Sequence, residues 1–138
     1  MVDLRCALIL LALACNLQPS TSGALEPAEA TVATWAERFE LVRADLLQIE
    51  AAHGAKDQDA AVASWEQAYR QRFEILIEQP VGGGVDVHQI MAVEYAFGRV
   101  RDGLESPRPA PVLAALTHLR EQLDTLEPLV AQLPQPTR

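Results

Sequence analysis

The sequence predicts an all-α fold: an antiparallel up-and-down four-helix bundle behind a cleaved N-terminal signal. Three observations predict it. Apolar residues recur at alternating steps of three and four in four separate stretches, the spacing of an amphipathic helix face. The stretches are joined by short breaks rich in proline and glycine, which favour antiparallel neighbours. No stretch alternates strictly enough to argue for strands. A chain of 138 residues fits one domain.

Helix one is expected from about Pro27 or Glu29 to His53, with Val32, Trp35, Phe39, Val42, Leu46, Ile49 and His53 on one face and Gly54 as its cap. Helix two is expected from about Asp57 to Glu78, with Val62, Trp65, Tyr69, Phe73 and Leu76 inward, stopped by Pro80 and the glycines that follow. Helix three starts near Asp86, an apt N-cap, and turns Ile90, Val93, Phe97, Val100 and Leu104 inward. Helix four runs from about Ala110 to Leu133 on Val112, Leu116, Leu119, Leu123, Leu126, Val130 and Leu133. Pro128 lies inside it, so a kink or loose turn is expected near Asp124 to Glu127.

Residues Cys6 to Ala14 form an unbroken apolar run preceded by Arg5. The run falls short of the roughly 20 residues that span a bilayer and suits the core of a secretory signal. Two processing sites compete. Ala12-Leu13-Ala14-Cys15 resembles a bacterial lipoprotein signal, which would make residues 1–14 the signal peptide and Cys15 the lipidated N-terminus. Ser22-Gly23-Ala24 is a small-x-small site that would place cleavage near residue 24. Residues 15–29 read as a flexible tether, 30–134 as the bundle and 135–138 as a tail. With Cys6 in the leader and Cys15 as the lipid site, the mature domain has no cysteine for a disulfide, a thiolate metal site or a nucleophile.

The formal charge is −8, from 11 basic and 19 acidic residues. A net acidic domain is a poor partner for phosphate backbones, so no nucleic acid is expected. There is no P-loop, no Rossmann fingerprint and no Gly-x-Ser-x-Gly, and no enzyme activity is expected.

Helical-wheel positions sort the ionisable residues. His53 lies on the core face of helix one with Glu50 beside it, in the Glu-x-x-His spacing that bundles use to hold iron. Glu66 borders the core on helix two. Glu94 and Arg101 border it on helix three, with Gly98 between them to admit a close neighbour. His118, Glu121, Glu74, Glu78 and His88 fall outward. Glu66, Glu94, Glu50 and His53 are therefore the candidate metal ligands, and Arg101 the centre of a polar network. Simpler roles compete: a capping histidine with a surface ion pair at Glu50 and His53, and cross-helix salt bridges joining Glu66 to Arg99 or Arg101 and Glu94 to Arg70 or Arg72.

Ala68-Tyr69, Phe73-Glu74, Ile77-Glu78, then Val93-Glu94, Phe97, Arg101 and Leu104 form an ordered set across helices two and three. The set resembles the periplasmic helical accessory domain found with high-affinity iron permeases. More distantly, the chain is similar to imelysin and EfeO-like periplasmic proteins. Those carry a His-x-x-Glu motif; His118-Leu119-Arg120-Glu121 matches its letters but faces outward, and no site is carried over. Permease segments and the Arg-Glu-x-x-Glu transport motif are absent, so the resemblance implies a free-standing copy of the accessory domain. It implies an exported, lipid-anchored protein of the bacterial periplasm or cell envelope that assists uptake of iron or another cation, with an envelope permease or other envelope protein as partner. The alternative is a ligand-free adaptor bundle that docks such a partner.

Overall fold

The computed structural model describes residues 34–106, 108 and 110–136. The expected signal (1–14), Cys15, the cleavage site near residue 24, the tether (15–29) and Val32 lie outside the described residues. Among those described, the chain is all-helical and four helices pack together. They are α1 (Trp35–Gly54), a continuous helical run from Gln58 to Val81, α4 (Val87–Glu105) and α5 (Ala110–Val130). No described helix is long and apolar enough to cross a membrane.

Helix α1 begins at Trp35, later than the periodicity suggested. Thr34 is its N-cap in extended backbone, and Thr34 and Glu37 form a reciprocal capping box. Two of the first-turn N–H orphans are thereby satisfied, which fixes the boundary. The C-terminal end also differs from expectation. Gly54 is still helical, Ala55 is the cap, and Lys56 takes the left-handed backbone with φ 62°. The Asp57 N–H donates to the Ala52 carbonyl and the Lys56 N–H to the His53 carbonyl. This is a Schellman turn with lysine where glycine is usual.

The run from Gln58 to Val81 changes winding. Helix α2 (Gln58–Glu66) opens into a π-helix (Gln67–Glu78), then closes through a single α turn, α3 (Gln79–Val81), and a 3-10 turn at Gly82–Gly84. Four residues of an α-helix overshoot a full turn by about 40°. The wider i→i+5 winding takes that overshoot back. Trp65, Tyr69, Phe73, Ile77 and Val81, each four apart, therefore stay on one line. All are buried except Tyr69, which is half-buried. The 3.6-residue period put Leu76 inward; Ile77 is fully buried in its place. Pro80 does not stop the run, although it has no N–H to offer the Leu76 carbonyl four residues back. Arg38 Nη1 donates to that carbonyl at 2.7 Å.

Helix α4 starts as expected: the Asp86 carboxylate accepts from the His88 N–H. Ile90, Val93, Phe97, Val100 and Leu104 are buried. Gly98 admits no close neighbour, for a Cβ there would meet nothing within 4 Å. The close approach is at Gly103, where a Cβ would lie 3.1 Å from Val112 Cγ2. The short connection lays the first turn of α5 on the last turn of α4. Helix α5 continues through Asp124–Glu127 and ends two residues after Pro128, so the turn expected there does not form. Its six predicted core positions from Val112 to Val130 are all fully buried.

Two anchors fix the layers. Trp65 Nε1 donates to the Phe97 carbonyl at 2.9 Å, and the rings of Tyr69 and Phe73 lie 5.2 and 5.5 Å from that of Phe97. Trp35 ties the start of α1 to the segment that follows α5, its Nε1 donating to the Pro134 carbonyl and its N–H to Gln135 Oε1.

Phe97→Ala and Leu123→Ala are expected to cost about 3–5 and about 2–5 kcal/mol respectively in denaturant unfolding, through lost transfer energy plus a cavity. Glu121→Ala, at an exposed side chain, is expected to stay within about 0.5 kcal/mol.

Candidate functional site

The structure distributes the four candidate ligands over three places. Glu50 and His53 line one cleft at the bundle end where α1 stops and α2 begins. Glu50 Oε2 accepts from Arg120 Nη2 at 2.5 Å, so its charge is already met across helices. His53 Nε2 is buried with no hydrogen-bond partner. Glu66 faces Arg101 at 3.7 Å, the cross-helix pair expected of it. Arg101 also donates to Glu105 at 2.8 Å and lies over the Trp65 ring at 5.0 Å. The Glu105 hydrogen bond, above all, raises its basicity. Among the described residues, no three His, Cys, Asp or Glu side chains are arranged to hold a metal ion together. Arginines take up two of the four candidates, which is the physical reason they do not converge.

Glu94 belongs to the third place. Arg72, one of its expected partners, turns instead to Asp45 at 3.3 Å. Glu94 acts on the π-helix residues Tyr69 and Glu78. Glu78 is not the outward residue the α-period made it. Its side chain is half-buried, and Oε2 is fully buried with no hydrogen-bond partner. Burial first, then the charges of Glu94 and Glu74, push its carboxyl above the usual carboxylate range. Tyr69 is pushed up in the same way, by burial and by Glu94, Glu78 and Glu74, with Arg70 opposing. The charges of Glu74, Glu78 and Glu94, carboxylates of the ordered sequence set, thus all act on one tyrosine of the widened helix. This arrangement favours the proton on Glu78.

Two charged residues are buried that the wheel left unremarked. Arg38 stacks on Trp35 at 5.4 Å and keeps a buried, unpartnered Nε; burial lowers its basicity. Asp45 accepts from Gln67 at 3.2 Å as well as from Arg72, tying α1 to the π-helix. The signal was present: Arg38 and Asp45 each stand one residue before a core position, Phe39 and Leu46, on the flank of the apolar stripe.

The sign of the pH response follows from Glu78. Its folded carboxyl prefers the proton more than the unfolded chain does, so its contribution to stability is full below about 4.5 and is lost as pH rises through the raised folded value. Glu78→Gln is expected to flatten that decline. Urea midpoints of the two proteins between pH 4 and 8 check it; parallel curves would assign the decline elsewhere.

In comparisons with known proteins, no family model matches the chain, and neither a curated protein nor a solved structure does.

Proposed function

We propose that this chain is an exported accessory protein of the bacterial cell envelope. In this reading it binds iron, or another hard cation, and assists its uptake through an envelope permease or similar partner. It is a binding module without enzymatic activity. The observation that carries the reading is the buried, unpartnered Oε2 of Glu78, on which the charges of Glu94 and Glu74 act. Carboxylate oxygens suit hard cations, and a cation here would relieve both the repulsion and the unmet acceptor. The proposed ligands are Glu78 and Glu94, with Glu74 adding charge and Tyr69 bordering them. Binding would displace the proton that Glu78 prefers, so affinity should rise with pH.

The reading includes an antiparallel up-and-down bundle. Cross-helix pairs support that topology: Trp35 meets Pro134, Arg43 meets Asp124 and Glu127, and Glu50 meets Arg120. The partners descend as α1 ascends. It also includes a cleaved signal and a lipid anchor at Cys15, supported by the apolar leader. Several acyl chains together hold such a protein at the membrane, since one alone is marginal.

A second reading rests on α4. Val87, Met91 and Tyr95, four apart, are 60%, 54% and 64% exposed. A row of large exposed apolar side chains is what an adaptor presents to a partner.

Calorimetric titration of ferrous, ferric, cupric and zinc ions distinguishes the two. The cation reading expects saturable heat that grows from pH 5 to 7.5 and is weakened roughly tenfold or more by Glu94→Gln or Glu78→Gln, each of which removes a charged ligand. Heat no greater than that of an unrelated acidic bundle would leave the adaptor reading. Separately, Cys15→Ser is expected to release the protein from membranes; an intact N-terminus at Leu25 by mass spectrometry would instead place cleavage near residue 24.

A further inference from the structure

The cleft beside His53 is not accounted for by a cation site at Glu78. It has a volume of about 810 Å³, within the range of small-molecule sites. Its lining includes Glu50, His53, Lys56, Gln58, Ser106 and Leu113. A transition metal on Glu50 and His53 is disfavoured there, because Arg120 already holds the carboxylate and Lys56 adds positive charge.

Three features point to an anion with an apolar body. First, His53 lines the cleft and its buried Nε2 has no partner in the protein; leaving such a group unmet is costly, and a polar group entering the cleft would be a partner at hand. Second, Lys56 holds a left-handed backbone that glycine would adopt without strain. A strained residue on a lined cleft is a feature of binding sites. With Glu50 neutralised by Arg120, Lys56 is the charge of the lining that has no counter-ion in the cleft. Third, the lining offers both polar and apolar groups. Ser106 Oγ accepts from the Arg108 N–H at 3.3 Å, so its hydroxyl proton remains to donate, while Leu113 is 50% exposed and lines the same cleft. The Gln58 amide is spent on the Leu104 carbonyl and braces the wall between α2 and α4.

We propose that this cleft binds a small organic carboxylate, its charged end on Lys56, His53 and Ser106 and its apolar body along Leu113. The inference does not depend on the cation reading.

The test uses the full-length chain and octanoate below its micelle concentration, followed by the imidazole resonances of His53, with His88 and His118 as internal controls. Octanoate is expected to shift His53 saturably and leave the two exposed histidines unmoved. Octanol, which has the body without the charge, and inorganic phosphate, which has charge without the body, are each expected to bind at least about tenfold weaker, the scale of one charged hydrogen bond or a few buried methylenes. The decisive variant is Lys56→Gly. It relieves the left-handed strain, so its urea midpoint should rise, while octanoate binding should weaken by roughly tenfold or more. A structural lysine would give the first change without the second. No saturable His53 shift, octanol binding as tightly as octanoate, or unchanged octanoate affinity in Lys56→Gly would each overturn the proposal.

Discussion

The winding of the helix between Gln67 and Glu78 is the constraint on which the rest of the structure depends. Because the turn is wide, an aromatic row forms that an α-helix would spiral away from the core. Trp65 stacks on Tyr69 at 5.4 Å, and Tyr69 on Phe73 at 6.5 Å. Such pairs contribute about 0.5–1.5 kcal/mol each beyond their area, which offsets the poorer backbone geometry. The same widening rolls Glu78 partway under the surface, within reach of the Glu94 charge. π-Segments inside α-helices recur at functional sites, and here one segment carries both the packing row and the carboxylates.

Charge in this molecule is partitioned between pairs that brace and groups that are left unmet. Arg43 reaches Asp124 and Glu127; burial works against its charge, but those two hydrogen bonds more than restore it. Arg120 with Glu50 and Arg72 with Asp45 brace other helix contacts in the same manner. Such pairs set register more than they add stability. Glu78 Oε2, His53 Nε2 and Arg38 Nε stand apart, each buried without a partner. In a fold that satisfies most of its polar groups, these exceptions are where chemistry has room.

Much of the fold was legible because amphipathic period is a strong signal. Every predicted core position of α4 and all six from Val112 to Val130 are buried, since regular helices obey the period used to read them. The errors gather where the period changes or where a local hydrogen bond outranks it. The 3.6-residue period points to Leu76 rather than Ile77 and turns Glu78 outward, and that period does not apply there. Spacing points to Gly98 for the close contact rather than Gly103, because the tightness of the α4–α5 connection cannot be read from it. Composition points to Gly54 for the cap, because lysine in a left-handed turn defies it. Of the candidate site, wheel positions found the pairing of Glu66 with Arg101 and the nearness of His53 to Glu50. They could not find which carboxylates arginine would claim, because that depends on tertiary distance.

The clasp between Trp35 and Pro134–Gln135 joins residues about a hundred apart in sequence. The pairing of α4 with α5 needs only the short turn after Glu105. Loop closure therefore weighs differently on the two: the α4–α5 hairpin closes from local contacts at small entropic cost, whereas the clasp closes a loop of about a hundred residues. The Trp35 indole therefore has its acceptor only once Pro134 is laid beside it, so a change at residues 134 and 135, far along the sequence, would be felt at the first turn of α1.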